Sequence, residues 1–116
     1  MSGKKSFARA GATATGTKAF AEKWKGSFVP DFYRTSRTGL VVSSVALGTY
    51  LGESDARIDG LYVDAIGRAL SGGLNVIDTA TNYRCQRSER SVGRALREPG
   101  VPRDAVVLCT KAGYVP

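Results

Sequence analysis

Residues 58–78, IDGLYVDAIGRALSGGLNVID, decide the fold class of this 116-residue chain. In the first part of this stretch, apolar side chains recur every three or four residues, which is the spacing of one face of an α-helix. The seven positions of this face are Ile58, Leu61, Tyr62, Ala65, Ile66, Ala69 and Leu70. Gly72 and Gly73 then supply the left-handed stop with which helices commonly end. Residues 74–78 are apolar except for Asn75 and a terminal acid, so the stretch predicts a helix followed by a strand.

Two further apolar runs lie on either side of this unit and predict two more strands. Residues 45–48 form a short run that ends in a glycine. Residues 105–109 are unbroken by any polar side chain, which is typical of a strand covered on both faces. Cys109, within this last run, is therefore expected to be a core residue.

A second helix is predicted between the last two strands. Ser88 or Ser91 can cap its start, and a proline-glycine pair ends it. Upstream of the first strand, Tyr33 and residues 40–44 flank a turn and predict a small hairpin. The alternation of strands and helices predicts an α/β fold with right-handed crossovers and a parallel sheet, either open and doubly wound or closed into a barrel.

Composition excludes several classes of function. The chain has no histidine, which excludes any mechanism that needs an imidazole from these 116 residues, such as Ser-His-Asp hydrolysis or a His-ligated metal. Its two cysteines are 24 residues apart, a spacing that fits no zinc or redox motif, so no metal site is expected. No apolar run approaches the roughly 18 residues of a membrane-spanning helix, and no membrane partner is expected.

The net charge of +7 is concentrated near the N-terminus. Residues 1–37 hold eight basic and two acidic side chains, whereas the rest of the chain holds nine and eight. We expect residues 1–30 to be a basic, partly disordered extension: a mobile tail, then a short helix capped by Thr17 whose aromatic rings pack on the body formed by residues 31–116. The alternative is a binding module whose basic arm contacts nucleic acid or an acidic partner. We favour the first interpretation, under which nucleic acid is not a partner.

Polar groups follow the ends of the three predicted strands. In a parallel α/β fold, functional side chains gather where the strands end and the loops leave for the helices. Because parallel strands end on one side of the sheet, a carboxylate, a phenol and an ammonium are expected to share one rim. The residues concerned are Gly48, Thr49 and Tyr50 after the first strand, Asp78 and Tyr83 after the second, and Thr110 and Lys111 after the third.

The expected grouping of Asp78, Tyr83 and Lys111 has a chemical use. A cation beside a phenol stabilises the phenolate, which makes the phenol a better proton donor near neutral pH. Tyr83 would then be a general acid tuned by Lys111, with Asp78 holding the lysine in place. The alternative is a structural ion pair between strand ends and a tyrosine that packs in its loop.

Five arginines lie in the loop after Tyr83 and along the second predicted helix. We interpret them as a solvated face rather than as a phosphate clamp. They are Arg84, Arg87, Arg90, Arg94 and Arg97.

The chain resembles the aldo-keto reductase family in several motifs. Residues 33–49, YRTSRTGLVVSSVALGT, look like the opening hairpin and first strand of the family. Residues 75–80, NVIDTA, with Tyr83 and then residues 87–96, RSERSVGRAL, are similar to its most distinctive motif. Residues 106–111, VVLCTK, match its third strand.

The resemblance implies a fold and an activity. The family fold is a parallel (β/α)8 TIM barrel, of which this chain covers the N-terminal hairpin and about the first three βα units. Family members use NADPH, or less often NADH, to reduce aldehyde or ketone carbonyls to alcohols. The implied partner is a small carbonyl compound, and the implied location is the cytoplasm.

The resemblance also implies a role for each matching residue. Tyr83 follows Asp78 by five residues and precedes Lys111 by 28, close to the usual spacing of the family's catalytic Asp, Tyr and Lys. Tyr83 is the implied proton donor, and Lys111 and Asp78 assist it. The implied cofactor-binding residues are Gly48, Thr49, Tyr50 and Asp78.

Two departures from the family pattern limit what the chain is expected to do alone. A (β/α)8 barrel takes about 250 residues, and the chain looks truncated after its third strand. The fourth catalytic residue of the family is a histidine after the fourth strand, and the segment that grips the adenosine phosphate comes later still. We therefore expect the isolated polypeptide to be inactive as a reductase. The remaining alternatives are a non-catalytic relative and a Rossmann-type domain, whose G-x-G-x-x-G pattern differs from the spacing of Gly48 and Gly52.

Overall fold

Residues 11–113 are described in the computed structural model, and they form a hairpin followed by three parallel strands that alternate with helices. In chain order the elements are α1 (Ala14–Trp24), β1 (Tyr33–Thr35), β2 (Val41–Ser43), β3 (Leu47–Gly48), α2 (Ala56–Ser71), β4 (Val76–Asp78), α3 (Arg87–Leu96) and β5 (Val107–Cys109), with 3₁₀ turns at Lys25–Ser27 and Arg103–Ala105. The predicted order of hairpin, strand, helix, strand, helix and strand is confirmed.

The three-stranded sheet has the order β3-β4-β5, and both of its strand pairs are parallel. Gly48 of β3 is aligned with Asp78 of β4, which is aligned in turn with Cys109 of β5. The strands therefore end at the same level, and the loops that follow them leave from one edge. This edge is the rim at which the sequence predicted the polar groups.

Each parallel strand is shorter than its apolar run, and side-chain hydrogen bonds of Asn75 join the chain segments before β4 and β5 to β2. Asn75 is fully buried, and its Oδ1 accepts from the backbone N of Ser43 at 2.9 Å. Its Nδ2 donates to the carbonyls of Val41 and Ala105, each at 3.0 Å. The Oγ of Ser43 in turn accepts from the backbone N of Asn75 at 3.2 Å. One amide side chain thus ties β2 to the segments that lead into β4 and β5.

Helices α2 and α3 pack together on one face of the sheet and form the core. Its buried residues are Ile66, Leu70, Ile77, Val92, Ala95, Leu96 and Val106. Leu47 and Leu108 pack against this cluster from the strands, so the alternate residues Val107 and Cys109 lie on the opposite face. On that face Val107 is partly buried and Cys109 is exposed. The predictions that this strand is covered on both faces and that Cys109 is a core residue are wrong for this part of the chain.

The α2 helix ends at the predicted glycine pair, and its predicted apolar face is buried or partly buried at every position except Leu61. Asp55 caps its start by accepting from the backbone N of Ile58 at 2.9 Å, and Gly73 follows its end with a φ of 100°. Leu61 is 51% exposed, whereas Val63 packs against the core. The predicted face of α2 is therefore confirmed except at Leu61, and Val63 adds to it.

The predicted serine caps of α3 are wrong. The helix begins at Arg87, after Gln86, which provides no side-chain cap. Ser88 and Ser91 are both buried. The Oγ of Ser88 donates to the carbonyl of Thr49 at 2.5 Å, and that of Ser91 donates to the carbonyl of Arg87 at 2.9 Å. Buried hydroxyls need partners, and both serines donate to main-chain carbonyls instead of accepting from the backbone N–H groups that begin the helix.

The α1 helix packs on β2 and on the Arg103–Ala105 turn. Its N-cap is Thr13, so the predicted cap at Thr17 is wrong. Thr17 is fully buried instead, and its Oγ1 accepts from the backbone N of Val41 at 2.9 Å. Residues 1–10, which make up much of the predicted mobile tail, lie outside the described residues. The division into an extension and a body stays a prediction.

Candidate active site

Asp78 and Lys111 form an ion pair at the rim where the parallel strands end. Asp78 is the last residue of β4, and Lys111 comes shortly after β5. The Nζ of Lys111 lies 2.9 Å from Oδ1 of Asp78 and also donates to the carbonyl of Thr79 at 2.7 Å. The Asp78 and Lys111 side chains are 44% and 51% exposed, so the pair is open to solvent.

Tyr83 lies beside this pair. The Nζ of Lys111 lies 5.2 Å from the centroid of the Tyr83 ring, which is within cation–π distance. The ring of Tyr50, in the loop after β3, meets the Tyr83 ring edge-on at 5.1 Å and 77°. The structure therefore brings together the carboxylate, the phenol and the ammonium that sequence analysis expected at one rim.

The neighbours of Lys111 stabilise its positive charge. A hydrogen bond to the Asp78 carboxylate raises the pKa of Lys111 above its ordinary value, and the side chain of Tyr83 contributes in the same direction. A raised pKa keeps this lysine in its ammonium form throughout the neutral range. An ammonium beside a phenol stabilises the phenolate that remains after proton donation, so the arrangement suits general acid chemistry.

The three residues predicted to contact a cofactor after the first strand occupy different positions. Gly48 is exposed, and nothing lies within 4 Å of the place that a Cβ would take there. Thr49 is fully buried, and its Oγ1 donates to the carbonyl of Asp78 at 3.0 Å. Tyr50 is 63% exposed. Gly48 and Tyr50 therefore border open space at the rim, whereas the side chain of Thr49 holds β3 against the end of β4.

Sequence analysis missed a partly buried ion cluster next to Tyr83, in which Arg84 is the fully buried member. The side chain of Arg84 is 1% exposed, and its Nη2 lies 2.7 Å from Oδ1 of Asp59. The Nη2 of Arg87 lies 2.7 Å from Oδ2 of the same carboxylate. Hydrogen bonds from Arg87 and Arg84 hold the pKa of Asp59 below its ordinary value. The prediction of a solvated face is wrong for these two arginines, because the spacing of arginines does not show that an acid on α2 faces them.

Two kinds of site are absent from the part of the chain that the structure describes. Within residues 11–113, no three His, Cys, Asp or Glu side chains come close enough together to hold a metal ion. None of the helices described there combines the length and apolar character needed to cross a bilayer.

The sequence of the chain is similar to those of aldo-keto reductases. The model of the aldo/keto reductase family matches residues 44–116. The aldo-keto reductase YhdN of Bacillus subtilis (strain 168) is 38% identical over 80 residues, which cover 64% of this chain and 23% of that protein. The NADH-specific methylglyoxal reductase of Escherichia coli (strain K12) is 37% identical over 86 residues, covering 67% and 25%. The chain spans about a quarter of the length of these curated relatives.

Comparison with solved structures leads to the same group. The crystal structure of an aldo-keto reductase from Klebsiella pneumoniae in complex with NADPH is similar to this chain with a TM-score of 0.57 and 34% sequence identity. The similarity covers 67% of this chain and 27% of that one.

Proposed function

The chain belongs to the aldo/keto reductase family, and on that premise we propose that it contributes to an NAD(P)H-dependent oxidoreductase that reduces aldehyde or ketone carbonyls to alcohols. One observation carries the proposal: Lys111 Nζ lies 2.9 Å from Asp78 Oδ1 and 5.2 Å from the centroid of the Tyr83 ring. The fold supports it, because active sites of (β/α)8 barrels lie at the ends of the parallel strands, where these three residues are.

Tyr83 is the proposed proton donor to the oxygen of the substrate carbonyl. As its hydroxyl gives up the proton, negative charge develops on the phenol oxygen, and the ammonium of Lys111 stabilises that charge. Asp78 keeps Lys111 protonated and holds it at the end of the neighbouring strand. Water reaches the half-exposed pair and can return a proton to Tyr83 after each turnover.

Open space beside Gly48 supports the proposal that the nicotinamide part of a cofactor binds at this rim. Gly48 leaves open space on the face of the sheet that also carries Asp78. A bound nicotinamide cofactor supplies the hydride that reduces the carbonyl carbon. We infer that Gly48, Tyr50 and Asp78 border it and that Thr49 contacts it through its main chain, since its side chain is buried. NADPH is the expected cofactor, because a similar structure holds it, and NADH is the alternative that a relative's name supports.

The 116-residue polypeptide by itself is not expected to turn over. It contains no histidine and contributes part of a pocket that, in a (β/α)8 barrel, is built from eight loops. The activity, the substrate and the cofactor are therefore proposed for a complete barrel that contains these residues.

A chimera tests the proposal. Residues 33–113 of this chain replace the matching segment of the Klebsiella reductase, and oxidation of NADPH is followed with a generic aldehyde. We expect turnover by the chimera and a loss of at least about 100-fold in Tyr83→Phe, since a positioned general acid contributes about that much. The matched control is Tyr33→Phe, because the Tyr33 hydroxyl donates to the carbonyl of Gly73 at the opposite end of β4.

Two results would contradict the proposed function. One is a folded chimera that does not oxidise NADPH in the presence of aldehyde. The other is a Tyr83→Phe chimera that turns over as fast as its parent.

A further inference from the structure

We propose that Asp59, Arg84 and Arg87 form a clamp that positions Tyr83 at the rim, a role that rests on the function proposed above for Tyr83. These three residues act through the loop that carries Tyr83 and are therefore positioning residues. The name clamp refers below to these three side chains and their hydrogen bonds.

The backbone that follows Tyr83 has an unusual conformation. Three consecutive residues, Arg84, Cys85 and Gln86, have φ angles of 52°, 56° and 69°. None of them is glycine, and a residue with a Cβ disfavours this left-handed region. Such a turn persists only where the surrounding structure holds it, so the position of Tyr83 depends on what holds the turn.

The clamp holds both ends of this left-handed turn. Arg84 is the first residue of the turn, and Arg87 comes directly after the last. Oδ1 of Asp59 accepts from Nη2 of Arg84 at 2.7 Å, and Oδ2 accepts from Nε and Nη2 of Arg87 at 3.1 and 2.7 Å. One carboxylate on α2 therefore joins two residues that lie three apart in the chain, with Cys85 and Gln86 between them.

Arg84 also ties the turn to the loop after β3. Its Nε donates to the carbonyl of Glu53 at 2.9 Å, and its Nη2 donates to the carbonyl of Asp55 at 3.3 Å. The same loop carries Tyr50, whose ring meets that of Tyr83 at 5.1 Å. One guanidinium thus fixes the two loops that present the aromatic rings at the rim.

The clamp is costly as a device for stability alone. The Nη1 of Arg84 is buried without a hydrogen-bond partner, and a buried ion cluster commonly stabilises a fold no better than apolar packing of the same volume. The cluster does fix the orientation of the groups that it joins, because a planar guanidinium makes several hydrogen bonds at fixed angles. This combination favours a positioning role.

The resonance of Tyr83 in NMR spectra tests the clamp without requiring turnover. The full protein is labelled with tyrosine that carries 13C at the ζ ring carbon, and Tyr83→Phe identifies the resonance of Tyr83. Arg84→Lys keeps the charge but loses the planar fork. We expect this change to shift or broaden the Tyr83 resonance while that of Tyr33 stays in place. The matched control is Arg90→Lys on the exposed side of α3, which should move neither resonance.

Further variants distinguish an effect of the clamp on the Tyr83 resonance from an effect of the backbone turn and from misfolding. Arg84→Gly adopts a left-handed conformation freely, so it should also move the Tyr83 resonance if the clamp positions the ring. An unmoved Tyr83 resonance in folded Arg84→Lys or Arg84→Gly would overturn the proposal. If both variants unfold, as a displaced Tyr33 resonance would reveal, Arg87→Lys decides in their place, because the Arg87 side chain is 33% exposed and its loss is better tolerated.

Kinetics distinguish a failure of the clamp from a failure of the proposed function. In an active protein, Arg84→Lys should lower kcat by about tenfold to a hundredfold, the effect of a small displacement of a reacting group, and should leave the KM for NADPH nearly unchanged. Reduction of a carbonyl combined with an unmoved Tyr83 resonance in the variants overturns the clamp alone. A displaced Tyr83 resonance in the variants combined with a folded chimera that lacks reductase activity supports the clamp and overturns the proposed function.

Discussion

Nζ of Lys111 and Oδ1 of Asp78 lie 2.9 Å apart, and the two residues come from the ends of neighbouring parallel strands. The pair therefore depends on the register of the sheet as well as on the two side chains. The ammonium of Lys111 also lies near the Tyr83 ring. A change in the charge of Lys111 therefore alters the electrostatic environment of the proposed proton donor.

Replacing Asp78 should make Lys111 easier to deprotonate. The carboxylate raises the pKa of Lys111, so Asp78→Asn should lower that pKa towards the ordinary lysine value. Titration of Lys111 by NMR of its ε carbon measures the change. Glu53→Gln, which removes an exposed acid from a nearby loop, is the control and should leave the titration of Lys111 as it is. An unchanged Lys111 titration in Asp78→Asn would show that the ion pair does not form in solution.

Asp59 should link the stability of the fold to acid pH. Its pKa is lowered in the folded chain by hydrogen bonds from Arg87 and Arg84. It therefore stabilises the fold above the pKa of an unfolded aspartate, about 3.9, and this contribution is lost as the pH falls through the lower folded value.

The variant Asp59→Asn removes this contribution. It should reduce the free energy of unfolding at pH 7 by about 3 kcal/mol, because it leaves the buried charge of Arg84 without a carboxylate partner. Urea denaturation at several pH values should show the difference from the parent narrowing below about pH 4. Asp64→Asn, exposed on the same helix, should have little effect, and a difference that stays constant at acid pH would contradict the prediction.

Replacing the side-chain NH2 of Asn75 by an oxygen should destabilise the fold. Its Nδ2 donates to the carbonyls of Val41 and Ala105, and in Asn75→Asp a carboxylate oxygen would face them. We expect the free energy of unfolding to fall by about 2 kcal/mol or more at pH 7, since two buried acceptors lose their donor. Protonation of the new carboxylate at acid pH should restore part of the lost free energy of unfolding. Ser43→Ala is the comparison, and urea denaturation should show a smaller loss of about 1 kcal/mol.

Two glycine-to-alanine changes should act in opposite directions. At Gly16 a Cβ would come within 2.5 Å of the backbone oxygen of Asp104, whereas at Gly60 it would meet nothing within 4 Å. Gly60→Ala should therefore stabilise the fold by about 0.5–1 kcal/mol through helix propensity. Gly16→Ala should destabilise it by about 1–3 kcal/mol, because α1 must move away from Asp104. Thermal melting of both variants checks the signs, and a stabilised Gly16→Ala would refute the close packing of α1.

Sequence patterns predicted the features that depend on chain order. The stretch from Ile58 to Asp78 predicted a helix and a buried strand, and the alternation of such units predicted the parallel sheet. Because parallel strands end on one side, Asp78, Tyr83 and Lys111 were expected at one rim before any distance was known. Their proposed roles in catalysis stay predictions.

The patterns could not predict which faces meet. Leu61 has the right spacing for the buried side of α2 but is 51% exposed, whereas the other positions of that side are buried or partly buried. Arg84 has the spacing of a surface residue, but it is buried and pairs with Asp59, which lies 25 positions earlier in the chain. Thr17 is suited to a cap, yet its hydroxyl serves the hairpin. Each outcome depends on a partner that is remote in sequence.

The hydroxyls of Ser88 and Thr49 connect α3, β3 and β4 in series, and both donate to main-chain carbonyls. The two acceptors are main-chain carbonyls, of Thr49 and Asp78. Substitution of neighbouring side chains therefore leaves both acceptors in place. Tyr50, the residue after Thr49, is 63% exposed, so its side chain can be varied without removing either hydrogen bond that holds α3, β3 and β4 in register.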